Sequence, residues 1–339
     1  MIFSALLSSH WRQRPSSVLA KDLMIRPQLL IVAASVALAC SAIAAPAAPA
    51  LDASNPFAKP SSLPLQYPAF DKIKDAHYLP AFAAGMREEL REVEAIANDK
   101  AAPTFDNTIV ALEKSGQLLA RVNATFGNLH GANTNDTLDA VDREMSPKLA
   151  AHTDAIHLNA KLFARVKALH DKRASLGLDA ESTHLLERYY KEFVRAGANL
   201  SAANQAKLKA YNGEIASLQS DFQQRVLKGA NAAALIVNTR AELAGLSDAE
   251  INAAAAEATK RGQKGKFAIP IVNTSIQPGL SVLTHRATRE RLMKASLERG
   301  TKGGEFDTTK QVLRLAKLRA ERAVLLGYPN FAAYSQELE

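Results

Sequence analysis

From about Asp71 onward, apolar residues recur at spacings of three and four, the period of a helix that buries one face. Leu138, Val141, Met145, Leu149, His152 and Ile156 form one stripe, and Leu208, Tyr211, Ile215, Leu218, Phe222 and Val226 form another. Between them lies a third apolar group, Leu185, Leu186, Tyr189, Tyr190, Phe193 and Val194, so residues 181–228 are expected to form one or two long helices. Ser247 and Glu250 have the spacing of a capping box, which opens a helix running to about Lys260. Asp106 and Asp307 are expected N-caps, and Gly177, Gly229 and Gly262 are expected stops. Helix returns over 284–300 and 307–326.

One region breaks the period. Ala234-Leu-Ile-Val-Asn is a short β-branched run, and Lys266-Phe-Ala-Ile-Pro-Ile-Val-Asn-Thr is a second. The two are expected to pair across the intervening helix as a small ribbon, with Pro270 tolerated because a ribbon strand is an edge. No internal repeat of fixed period occurs, which argues against a solenoid. The expected fold is mainly α: a long-helix bundle with a small β-ribbon near 234–274.

Composition fits that picture. Of 339 residues, 47% are hydrophobic and only 6% aromatic, and alanine is abundant, which favours helix over strand. The formal charge is +8, of which +3 comes from residues 1–50, where Arg12, Arg14, Lys21 and Arg26 face only Asp22. In the body, charges of both signs alternate along the helices, the pattern of solvated faces, so no nucleic-acid partner is expected. The single cysteine, Cys40, precedes the body, which therefore has no thiol for a disulfide, a thiolate-bound metal or a nucleophile.

The first residues read as a targeting segment. Residues 1–23 are read as an extension upstream of the true start at Met24. Arg26 then supplies a positive end, Leu29–Ala39 a short apolar core, and Ala42-Ile-Ala44 a small-x-small cleavage site, making 24–44 a signal peptide for export to the periplasm. The apolar run is short of the roughly 20 residues that span a bilayer, so no membrane association beyond export is expected. Leu38 stands one place from where a lipobox before Cys40 wants its aliphatic residue. Residues 45–62, rich in Ala and Pro, are read as an extended linker ahead of a helical region at 63–339.

Candidate chemistry is sparse. The eight histidines are His10, His77, His130, His152, His157, His170, His184 and His285, and none is followed by Glu, so no His-Glu-x-x-His zinc motif exists. His184 and Glu187 share one helix face at a spacing that can bind metal, but they lack a third ligand nearby and read as a surface pair. His152 and His157 lie roughly 140° apart around a helix and diverge, with His152 on the apolar stripe as a core histidine. His77-Tyr78 ahead of Pro80 suits the first turn of a helix. Glu88-Glu89 and Asp139 with Asp142 read as solvated charge. Lys264-Gly-Lys and Lys302-Gly-Gly are loop signals without the spacing of a phosphate-binding loop, and no Gly-x-Ser-x-Gly occurs. No residue is assigned as catalytic, cofactor-binding or metal-ligating.

Longer stretches carry a resemblance. Asn55-Pro-Phe, Phe70-Asp-Lys-Ile-Lys-Asp-Ala-His-Tyr-Leu-Pro-Ala-Phe and Pro103-Thr-Phe-Asp-Asn-Thr-Ile-Val-Ala-Leu-Glu resemble the amino-terminal part of the thimet-oligopeptidase family of zinc metallopeptidases. Ile269-Pro-Ile-Val-Asn-Thr-Ser-Ile-Gln-Pro-Gly-Leu, Arg286-Ala-Thr-Arg-Glu-Arg-Leu-Met-Lys-Ala-Ser and Arg322-Ala-Val-Leu-Leu-Gly-Tyr-Pro-Asn-Phe-Ala-Ala-Tyr-Ser continue it, in order, to Ser335. The bacterial peptidyl-dipeptidase and oligopeptidase A branches are the most similar. The resemblance implies a two-lobed helical enzyme with a channel for short peptides, and zinc held by residues downstream of the matched segment.

Two functions are therefore expected to compete: the front portion of an exported zinc peptidase, inactive by itself, or a non-catalytic helical binding protein of the periplasm. The first implies zinc in the full-length parent with none bound by residues of this chain, short peptides as substrate, and a monomer. It also implies that helices after about Ser281 expose an apolar face.

Overall fold

The apolar stripes become helices whose ends are set by local capping chemistry. The computed structural model describes residues 50–271 and 277–337. The residues read as an upstream extension and a signal peptide, Cys40 among them, lie outside the described residues. In chain order the helices are α1 (Tyr78–Ala97), α2 (Ala111–Glu113, continuing a π-helical turn over Phe105–Val110), α3 (Gln117–Ala132), α4 (Asp136–His157), α5 (Ala160–Asp171) and α6 (Ala180–Arg195). They continue with α7 (Ala202–Ala232), α8 (Asp248–Lys260), α9 (Gly279–Val282), α10 (Arg286–Leu297), α11 (Thr309–Leu325) and α12 (Phe331–Gln336). The expected ribbon is present: β1 (Leu235–Val237) pairs antiparallel with β2 (Phe267–Ile269), Ile236 opposite Ala268. The fold is mainly helical, as the periodicity implies.

The long apolar region at 181–228 resolves into two helices, because Gly197 adopts a left-handed conformation (φ +93°) and Ser201 then caps α7 by accepting from the Asn204 amide. The Ser247–Glu250 capping box opens α8. Gly262 (φ +73°) closes it, with the Gln263 amide reaching back to the Ala258 carbonyl and the Gly262 amide to Thr259, the Schellman arrangement. Three other signals are corrected. Asp106 is not an N-cap: Thr104 caps that turn, and Asn107 returns the bond to the Thr104 amide. Gly229 does not stop α7, which runs three residues further; the missing side chain instead lets Phe306 pack close, its Cβ 3.0 Å from where a Cβ on Gly229 would sit. Asp307 accepts from the Thr309 amide at 2.9 Å and so serves the start of α11 from one place before its cap.

The core falls into four apolar groups among the described residues. Tyr78, Phe82, Val122, Phe126, Leu138 and Met145 join α1, α3 and α4. Val93, Ile109, Leu162, Val166, Leu186 and Phe193 join the end of α1 to α5 and α6. Val237, Leu243, Ile251, Leu283 and Leu292 close the ribbon against α8 and α10. Ile215, Leu315 and Leu318 hold α11 on α7. The stretch read as a linker ends earlier than Ser62, because Phe57 (4% exposed) sits in the first group, 5.5 Å from the Tyr78 ring.

Between α4 and α7 the packing is polar as well as apolar. Gln224 Nε2 donates to the Asp139 carbonyl at 2.9 Å, Ser220 to Asp142, and Arg143 to Gln224. Asn212 Nδ2 donates to Asp154 Oδ1 at 2.7 Å, and Arg322 of α11 reaches the Asn212 amide oxygen at 3.2 Å. A buried polar group is tolerated only with such partners, so these bonds fix the register of the two longest helices.

Candidate functional site

The residues marked by the sequence are spread over separate surfaces. His184 is exposed, and Glu187 is engaged by Arg173 Nε at 3.1 Å, so the two do not form a pair with each other. His152 is buried on the α4 stripe, as expected of a core histidine, with Nε2 2.7 Å from Oε2 of Glu89 on α1. His157 turns the other way, its ring 5.0 Å from Phe193 of α6. His77 closes the turn before α1, Nδ1 accepting from the Lys74 amide at 3.0 Å.

The reading of the paired carboxylates as solvated charge is corrected for three of the four. Only Glu88 is exposed. Glu89 is drawn inward by His152. Asp142 is half-buried and accepts from Ser220 and from Ser146. Asp139 is 3% exposed and gathers Thr134 Oγ1 at 2.7 Å, His130 Nε2 at 3.2 Å and Lys228 Nζ at 3.3 Å. Burial alone would raise the Asp139 pKa, but the bonds from Thr134, Lys228 and His130 outweigh it and hold the carboxyl below its usual value. Asp154 is the reverse case: burial outweighs Asn212 and the nearby cations and pushes it up. Sequence reasoning missed these sites because partners come from other helices: Glu89 meets His152 of α4, Asp139 meets His130 of α3 and Lys228 of α7, and Asp142 and Asp154 meet Ser220 and Asn212 of α7.

Two further charges were not foreseen. Arg165 of α5 donates to the carbonyls of Asp99 (2.9 Å) and Ala101 (3.1 Å) and to the Asn107 side chain (2.9 Å), tying the π-helical turn to α5. Arg195, at the end of α6, bonds Glu337 at 2.7 Å and lies 4.3 Å from the Tyr334 ring centroid.

A pocket of about 530 Å³ lies between His170, His184, Glu187, Arg195 and Glu337. His170 stacks on Tyr190 with ring centroids 3.7 Å apart; burial, then the Arg173 charge, lower its pKa and favour the neutral ring. The carboxylates there are already held by arginines. A larger hollow of about 800 Å³ is walled by the 53–74 segment, with His77 and Arg121. Among the described residues no three His, Cys, Asp or Glu side chains converge to hold a metal ion, so these residues do not fit a zinc site. The His130–Asp139 pair has an orienting carboxylate, but its hydroxyl neighbour Thr134 bonds the carboxylate rather than the imidazole, so it is not a nucleophile–base relay.

Comparison with known proteins places this scaffold. The chain is 46% identical over 280 residues to dipeptidyl carboxypeptidase of Escherichia coli, covering 83% of the chain and 41% of that protein. It is 47% identical over 281 residues to dipeptidyl carboxypeptidase of Salmonella typhimurium, with the same coverage. Oligopeptidase A of Escherichia coli matches at 22% over 277 residues. No family model matches. The chain spans about two fifths of the length of these relatives. A helical body related to peptidases over its amino-terminal part is therefore the class of protein on the page. Within that class, the resemblance to the thimet-oligopeptidase-like family read from the sequence holds: the chain is similar to the amino-terminal part of dipeptidyl carboxypeptidases and, more distantly, of oligopeptidase A.

Proposed function

We propose that this chain is the amino-terminal portion of an exported, zinc-dependent peptidyl-dipeptidase that hydrolyses short peptides. The observation that carries the reading is the 46% identity over 280 residues to a dipeptidyl carboxypeptidase. The zinc ligands and the water-activating glutamate would come from sequence outside this chain, which lacks His-Glu-x-x-His. Zinc bound there would polarise the scissile carbonyl and activate water. The part played by these residues is steric and positional: rigid helices flanking the channel would admit an extended peptide and refuse a folded protein. No helix among the described residues is long and apolar enough to cross a membrane.

The test is to read the DNA 3′ of the Glu339 codon and to assay the encoded polypeptides. An in-frame His-Glu-x-x-His is expected. The extended product should release dipeptides from a blocked oligopeptide in a chelator-sensitive way, and this chain alone should not. Hydrolysis by this chain alone would overturn the reading, as would the absence of any downstream motif.

A further inference from the structure

We infer that the hollow walled by the 53–74 segment binds a small soluble phosphate ester, with Arg121 as its anchor. The hollow encloses about 800 Å³, within the range of small-molecule sites. Its lining is electrically one-sided. Lys59, Lys72, Lys74 and Arg121 line it against a single carboxylate, Asp71, so four cations less one anion leave a net charge of +3. Among the described residues none of the four cations is ion-paired, whereas the two most buried arginines, Arg165 and Arg195, each hold a carboxylate.

Arg121 is the group that most needs a partner. It is half-buried on α3. Nη2 makes one long bond, to the Phe57 carbonyl at 3.4 Å, and Nε is shielded from water without a partner among the described residues. A guanidinium offers its N–H donors in a planar fork, and a cation withdrawn from water with so few acceptors is costly. A bound anion supplies those acceptors. His77 adds a further donor: its Nδ1 accepts from the Lys74 amide at 3.0 Å, so Nε2 carries the ring proton on the wall of the hollow.

The charge balance selects phosphate. A phosphate ester brings about two negative charges and several acceptor oxygens, whereas a lone carboxylate leaves more of the cations unmatched. The apolar part of the ester has a surface to lie on, because Leu63 and Leu65 line the rim, 44% exposed and fully exposed respectively. The opposite wall is already in place. Asn55, 7% exposed, donates to the His77 carbonyl at 3.0 Å and accepts from the Phe57 amide at 3.0 Å, so little ordering is left for the ligand to impose.

Calorimetric titration of the purified chain with phenyl phosphate tests the site. One molecule should bind per chain, with a Kd below about 1 mM at low ionic strength, and salt should weaken it. Benzoate, the same ring on a carboxylate, should bind at least tenfold more weakly. Arg121→Gln should weaken phenyl phosphate binding about tenfold, the worth of one charge-assisted contact. Lys72→Gln with Lys74→Gln, at exposed positions, should weaken it severalfold. Asp71→Asn should tighten it, a gain that no folding defect can imitate. Lys172→Gln, exposed at the end of α5, should leave it unchanged. No saturable binding, benzoate as tight as phenyl phosphate, or an affinity indifferent to Arg121 and Asp71 would each overturn the inference. Phosphatidylglycerol vesicles separate the two sources of phosphate. The chain should stay in solution beside them, and sedimentation with them that Arg121→Gln abolishes would overturn the soluble ligand in favour of a lipid headgroup.

Discussion

Leu313 and Leu318 lie five positions apart on α11 and face opposite ways: Leu318 is wholly buried against α7 and Leu313 is 67% exposed. The same residue type should therefore respond differently to truncation. Leu318→Ala removes buried methyl groups and leaves a cavity, a loss of about 2–5 kcal/mol. Leu313→Ala should change stability by less than about 0.5 kcal/mol, because its side chain already faces water. Urea unfolding of both variants checks this, and a similar loss at the two positions would contradict the assignment of faces.

His152 and Glu89 link α4 to α1 inside a largely apolar contact. Their side chains are 6% and 20% exposed, so each would be left without its bonded partner if the other were removed. Glu89→Ala should cost about 1–3 kcal/mol, the penalty of stranding a buried polar group. Replacing His152 by Leu in the same chain should recover part of that loss, giving a coupling clearly different from zero in a double-mutant cycle. Strict additivity in the cycle would show that the pair contributes nothing.

Much of the fold was legible because periodicity and capping are local. The 138–156 and 208–226 stripes, the Ser247 capping box and the 235–237/267–269 ribbon all follow from residues within a few places of one another, apart from the ribbon's pairing partner. The failures share one cause. Asp139, Glu89 and Arg165 look like surface charges in sequence, and only the tertiary approach of α7, α4 and the π-helical turn turns them inward. Gly229 reads as a stop until Phe306 is seen packed against it. Of a reaction centre nothing was legible, since no ligand motif is encoded in these residues.

The buried aspartates Asp139 and Asp154 should pull stability in opposite directions with pH. Hydrogen bonds outweigh burial at Asp139 and depress its folded pKa below the ordinary 3.8. Its contribution is then present above 3.8 and lost as pH falls through the lower folded value. Burial raises Asp154, so its charge is a cost above the raised folded pKa, relieved as pH falls through that value toward 3.8. Asp154→Asn should accordingly be more stable than the parent at pH 7 and lose that advantage in acid. Asp139→Asn should be less stable at pH 7, with a deficit that shrinks only below 3.8. Urea midpoints measured across this range separate the two; parallel pH profiles for both variants would contradict the assignment.

Glycine-to-alanine substitution offers the sharpest check on the α1–α3 packing. In a helix interior the change ordinarily stabilises by about 1 kcal/mol, through the unfolded chain's lost freedom and better helix propensity. Gly127, on the exposed side of α3, has open space around it and should show that gain. Gly85 of α1 is buried against the other helix: a Cβ there would stand 2.9 Å from both the Leu119 Cα and its amide nitrogen. Those are backbone atoms, which cannot rotate aside, so α1 and α3 would have to separate. Overpacking of this kind costs about 1–3 kcal/mol and should exceed the propensity gain. Gly85→Ala is thus expected to lower the thermal midpoint while Gly127→Ala raises it. A gain at both sites would mean that the two helices sit further apart than the described geometry places them.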